Sequence, residues 1–277
     1  MFLKKNFKIF LGFCVLLLVA KNGKAQSQVT CDSAALQHCL SNFIQFTGWN
    51  ASAQNALNDY TNIYNFLQDT VASIPGYDAG LLLACNGVEQ FVNCLGVKNV
   101  GCISIPGRLR AGDSPTNAYG IAGTFSQYLF ECGPGLYTVE RDNALTCIQR
   151  VLLNNNNVLT GCRSAYFANI QHDSLNANLY IGNLLKCYTA PFTVASCKRE
   201  TRSDEWWACE TQLQFAKAQF PLSTDVCDVE HGRRDMAEYL RKNHKFENNK
   251  HYFKMPNIWR INNSGEWEYA EQDWLSD

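Results

Sequence analysis

The chain has 277 residues, 46% apolar and 18% charged, a composition that excludes a disordered or collagen-like polymer and calls for a folded core. Five of its 24 basic residues (Lys4, Lys5, Lys8, Lys21 and Lys24) precede residue 26, where no acid occurs. The other 19 face 25 acids, so the rest of the chain is formally −6. That acidity disfavours a nucleic-acid partner, which needs a dense basic face.

Residues 1–25 read as a secretory signal peptide: lysines first, then an apolar run from Ile9 to Ala20, then a short polar stretch with Gly23 and Ala25 suited to signal peptidase. The apolar run is too short to cross a hydrocarbon core about 30 Å thick as a helix. No later stretch is longer, so no membrane span is expected after cleavage at Gln26.

Of 13 cysteines, Cys14 lies inside the signal peptide. The remainder, Cys31, Cys39, Cys85, Cys94, Cys102, Cys132, Cys147, Cys162, Cys187, Cys197, Cys209 and Cys227, is an even set on a chain bound for an oxidising compartment, which predicts six disulfides. Zinc sites usually draw on cysteine pairs two to four residues apart, and no such pair occurs here. The pairing itself is open, with on the order of ten thousand connectivities.

Apolar residues recur at three and four along most of the chain. Leu36, Cys39, Leu40, Phe43 and Ile44 form one helical stripe and Ala53, Leu57, Tyr60, Tyr64 and Leu67 a second. Leu81, Leu82, Cys85, Val88, Phe91 and Leu95 form a third, closed by Gly96 through positive φ. The segment from Ser104 to Asn117, with Pro106, Gly107, Gly112 and Pro115, reads as a loop within one module or a linker between two halves. Another stripe, Tyr137, Glu140, Ala144, Cys147, Ile148 and Val151, is introduced by Pro134 and ended by Asn154 to Asn157, and a helix from about Asp204 to Gln219 stops before Pro221.

The fold class is therefore all-α: a disulfide-stapled helical bundle over 26–227, then a cysteine-free C-terminal helix and loosely attached tail over 228–277. An amphipathic helix is expected from Asp228 to Asn243 through Met236, Tyr239 and Leu240. Because residues eight or nine apart on one helix stand roughly 12–13 Å apart, and a bridge needs Cα atoms within about 7 Å, Cys31 with Cys39 and Cys85 with Cys94 are excluded as same-helix partners. These cysteines must therefore staple different helices together, or one of each pair must sit beyond the helix end.

No chemistry-bearing constellation emerges. The sequence holds no GxSxG elbow, HExxH pair, phosphate-binding loop or dinucleotide fingerprint. His38, His172, His231, His244 and His251 show no metal-ligand spacing, and His172-Asp173 lacks the cysteine doublet and calcium loop that accompany such a pair in secreted phospholipases A2. No catalytic residue, metal or cofactor is assigned. Two sequons, Asn50-Ala51-Ser52 and Asn262-Asn263-Ser264, make Asn50 and Asn262 candidate N-glycosylation sites. Ser264-Gly265, followed by Glu266 and Glu268, makes Ser264 a candidate glycosaminoglycan attachment site.

The segment Tyr128-Leu129-Phe130-Glu131-Cys132-Gly133-Pro134-Gly135-Leu136, with Cys147-Ile148, Cys162 and the spacing of Cys85, Cys94 and Cys102, resembles nematode secreted cysteine-rich proteins of the chondroitin proteoglycan 4 type and related twelve-cysteine extracellular modules. The likeness covers about residues 31–227 and implies a disulfide-rich extracellular helical module. The expected function is that of a secreted, non-enzymatic structural or binding protein with an extracellular partner. The alternative is a carrier whose helices enclose a small apolar ligand such as a lipid.

Overall fold

The computed structural model describes residues 31–73, 79–195, 197 and 200–228, and in the C-terminal segment 237–239, 241–248, 250–254, 258–261, 264, 267–270 and 274–276. The signal-peptide reading falls outside these residues. Among the described residues nine α-helices run through the cysteine-rich region: α1 (Ser33–Thr47), α2 (Tyr60–Ser73), α3 (Ala79–Asn99), α4 (Ile105–Arg110), α5 (Pro115–Phe130), α6 (Leu136–Arg141), α7 (Leu145–His172), α8 (Ala177–Ala195) and α9 (Ser203–Gln219).

Local chemistry sets their ends. The Asp32 carboxylate accepts from the Ala34 and Ala35 amides at 2.9 and 3.4 Å and caps α1, which Gly48 closes at φ 72° with its amide on the Ile44 carbonyl. The second apolar stripe divides. Ala53 and Leu57 belong to the turns before α2, which begins at Tyr60 because Asp59 accepts from the Thr61 amide at 2.9 Å and Asn117 Oδ1 accepts from the Tyr60 amide at 2.6 Å. Gly96, at φ 59° and ψ −178°, breaks α3 as expected.

The 104–117 stretch is neither a long loop nor a linker. Ser104 caps α4 and Ser114 caps α5, each with proline in the first turn. Arg108 pairs with Asp113 through 2.7 and 2.9 Å contacts, and Arg108 and Asn117 both donate to the Leu57 carbonyl. Gly107 lies so close to the Gly101 carbonyl that any side chain would collide with it.

The stripe from Tyr137 to Val151 is two helices, because Asn143 turns the chain at φ 52° and the Ala144 amide closes back on the Val139 carbonyl at 2.8 Å. The four asparagines from Asn154 to Asn157 do not stop α7. Only Asn155 departs from helical geometry, at φ −120°, and burial of Val151, Leu152, Leu159 and Cys162 at helical spacing outweighs weak local propensity.

Helix α9 is buried around most of its circumference, with Trp206, Trp207, Thr211, Gln212 and Phe215 all inaccessible. It lies along α5, where Gly123 admits Phe215; a Cβ at 123 would stand 2.7 Å from that ring. Gln149 of α7 donates to the Val71 and Ala72 carbonyls and satisfies the open end of α2.

All twelve cysteines from Cys31 to Cys227 pair. Cys31–Cys102 and Cys39–Cys94 are nested across α1 and α3, and Cys85–Cys132 ties α3 to the turn after α5. Cys147–Cys197 and Cys162–Cys187 are nested across α7 and α8, and Cys209–Cys227 holds the segment after α9. Each bridge joins different segments, and none links residues 31–132 to residues 147–227.

The C-terminal segment departs from the expected tail. Residues 237–239 and 241–243 are helical, while 229–236 lie outside the described residues. Beyond them β1 (His244–Glu247), β2 (Lys250–Lys254) and β5 (Trp274–Ser276) form an antiparallel sheet in the order β1-β2-β5, with His244 opposite Phe253 and Tyr252 opposite Ser276. A separate antiparallel pair joins β3 (Ile258–Ile261) and β4 (Trp267–Ala270). Tyr239 is buried with its ring 5.9 Å from Tyr137, and Glu238 pairs with Lys242 at 2.7 Å, so this segment packs on α6.

Candidate functional site

Three places concentrate polar chemistry. The first is inside the molecule, where α2, α5, α7 and α9 meet around Arg163. Its guanidinium donates to Gln212 Oε1 at 3.1 Å and Gln127 Oε1 at 2.6 Å, and lies 3.2 Å from the centre of the Tyr64 ring and 4.1 Å from that of Phe215. Gln127 in turn donates to Glu131 at 2.7 Å. Burial pushes the Glu131 carboxyl up to about 8, against the opposing pull of Gln127 and Arg163, and raises the Tyr128 and Tyr188 hydroxyls well above their usual range. Closed off from solvent, this centre fixes four helices in one register.

The second place is an open groove of about 630 Å³ between α8, α9 and the segment after α9. The Cys209–Cys227 bridge holds that segment in place, and Ser223 donates to the Asp225 carboxylate at 3.0 Å to shape it. Leu185, Ala190, Val194 and Val226 give an apolar lining, with Val194 86% and Val226 62% exposed. Charges of both signs stand at its rim: Lys186, Asp225, and Arg202 paired with Glu205 at 2.6 Å. An apolar body with a polar head suits these walls.

The third is a groove of about 770 Å³ at the turn between α1 and α2. Its walls combine Trp49 and Phe66 with Asn50, Asn62, Asn65 and Asp69. The sharp exit from α1 at Gly48 brings Trp49 back over α2, where it stacks on Phe66 with ring centres 5.0 Å apart and planes 17° from parallel.

The sequence-selected residues are dispersed among these features. Asn50 is exposed in the third groove, Ser264 is exposed at a turn after β3, and Asn262 lies outside the described residues. His38 is exposed on α1 beside Asn42, and His172 ends α7 in solvent with Asp173 capping the following turn. Among the described residues no group of three His, Cys, Asp or Glu side chains is placed to hold a metal ion, and no helix is long and apolar enough to cross a membrane. The buried Arg163 centre and both grooves were not picked out from the sequence. Arg163 stands 36 and 49 positions from its glutamine partners, a separation that leaves no local signal.

In comparisons with protein-family models, curated proteins and solved structures, the chain matches none.

Proposed function

We propose that this is a secreted, non-enzymatic extracellular protein that works by binding through its exterior. The observation that carries the reading is the set of six bridges, each tying separate segments of a helical body. A chain of this length can bury an adequate core unaided. Covalent stapling on this scale belongs to an oxidising compartment and gives durability where proteases act on any segment that opens. The resemblance to nematode proteoglycan-core-like proteins is part of the same proposal, and an exposed Ser264 followed by Gly265 is consistent with matrix attachment through a glycosaminoglycan.

The test is secretion of the full chain from eukaryotic cells, followed by non-reducing peptide mapping and chondroitinase digestion. The expected result is recovery from medium or matrix with the six linked peptide pairs. A chain retained in the cytosol with reduced thiols would overturn the reading, and a gel band unmoved by chondroitinase would remove its glycosaminoglycan part.

The groove along α8 favours a second reading, a carrier of a small amphipathic lipid. Its apolar wall is solvent-facing rather than enclosed, so a ligand would lie along the surface with its head toward Lys186 or Arg202. Native mass spectrometry of the secreted protein should show a bound lipid that is lost in a Val194→Asp, Val226→Asp variant. The same mass with and without lipid in the medium would count against it.

A further inference from the structure

We propose that the groove at the α1–α2 turn is a seat for N-acetylhexosamine, and that its occupant is the first sugars of a glycan carried by Asn50. This rests on the reading that the chain passes through the secretory pathway, where sequons are modified.

The groove has the two things a pyranose ring requires. One is a rigid flat wall: Trp49 lies on Phe66 and meets Phe43 edge-on, with centres 6.1 Å apart and planes at 84°. Its unburied part lines the groove, offering an aromatic surface to the C–H face of a sugar. The other is a set of amide groups for hydroxyl and N-acetyl partners. Asn62 and Asn65 are exposed on α2, and their side chains make no hydrogen bond within the described residues. Asparagine, aspartate and threonine along the walls suit a polyhydroxylated ligand better than a lipid, and about 770 Å³ is within the usual range of small-molecule sites.

Position identifies the occupant. Asn50 directly follows Trp49, is exposed, and itself lines the groove, with Ser52 completing the sequon. In the modification step the Asn50 side-chain nitrogen bonds to C1 of a lipid-pyrophosphate-linked oligosaccharide; the C1–O bond to pyrophosphate breaks, and the amide loses one proton. The first sugar then begins at the mouth of the groove. Tethering makes its docking intramolecular, at an effective concentration in about the millimolar range, so weak contacts suffice.

The test uses full-length protein secreted from glycosylating cells. Peptide mass spectrometry should find Asn50 occupied, and NMR should show a nuclear Overhauser contact between the N-acetyl methyl of the first sugar and the Trp49 indole. Peptide-N-glycosidase should release this glycan from the folded protein about fivefold faster in an Asn62→Ala, Asn65→Ala variant, whose exposed substitutions leave the fold intact by thermal melting. An unoccupied Asn50 in secreted, fully bridged protein overturns this inference and leaves the proposed function standing. An occupied Asn50 with no contact to Trp49, or an unchanged release rate, also overturns it. An Asn50→Gln variant separates the sources of sugar. Added di-N-acetylchitobiose should move its Trp49 resonance saturably, whereas no movement at about tens of millimolar overturns the seat itself. Binding by that variant alongside an unmodified Asn50 in the parent assigns the seat to an external glycan and overturns the tethered one.

Discussion

The guanidinium of Arg163, buried within a chain of side-chain hydrogen bonds, lies 3.2 Å from the centroid of the Tyr64 ring. That chain runs from Gln212 through Arg163 and Gln127 to Glu131 and joins α9, α7 and α5.

Removing the cation strands both glutamine oxygens and empties the space over two aromatic rings. Arg163→Ala should therefore lower stability by about 3–5 kcal/mol, from two buried acceptors left unsatisfied at about 1–3 kcal/mol each and from the cavity over the rings. Arg163→Lys keeps the charge but loses the planar fork that reaches both glutamines, and should fall between. Urea unfolding measures this, and a loss for the alanine variant below about 1 kcal/mol would contradict it.

Glu131 makes stability depend on pH in an unusual direction. Its folded value of about 8 lies above the ordinary carboxyl value near 4.5, because burial penalises the charged form. Between those values the folded state holds a proton that the unfolded state has released, so stability declines as pH rises from about 4.5 to 8 and levels off beyond. Glu89, raised by burial to about 7, acts in the same sense. Unfolding measured at pH 5 and pH 8 should show a loss on the order of a few kcal/mol. Glu131→Gln, which preserves the acceptor for Gln127, should leave a shallower profile carried by Glu89; an equally steep one would show that the dependence arises elsewhere.

The nested bridges across α1 and α3 should be cooperative in a calculable way. Cys31–Cys102 and Cys39–Cys94 span 71 and 55 positions, so with the outer bridge closed the inner one has a loop of only the difference, 16, left to constrain. Replacing the inner pair by alanine should cost about 3 kcal/mol, and removing both pairs about 7 kcal/mol, more than twice the single loss. Thermal or urea unfolding of the single- and double-bridge variants tests this, and equal successive losses would argue against chain entropy as the source.

Much of the helical frame was legible because cysteine parity and apolar spacing are local quantities. Leu36 to Phe43 and Asp204 to Gln219 became helices as their periodicity required. Misreadings occurred where distant contacts override local preference: the asparagines of α7 are carried through by buried neighbours, and the 104–117 stretch is ordered by Arg108 and Asn117 reaching Leu57. The C-terminal strands are only three to five residues each, and their pairing depends on partners as remote as Phe253 and Leu275, beyond the reach of a short periodic signal. Of the candidate sites, Asn50 was visible as a sequon. The Trp49–Phe66 wall beside it arises only when α1 and α2 fold back on each other.

The two families of cross-links meet nowhere, since one ends at Cys132 and the other starts at Cys147. A nick in the turn at Asp142–Ala144 would leave the halves united by packing alone, and denaturant without reductant would part them into two closed pieces. A nick at Gly112 would release nothing, because Cys85–Cys132 straddles it. Toughness in this molecule is thus built up in blocks on either side of such seams, a second of which lies between Cys197 and Cys209.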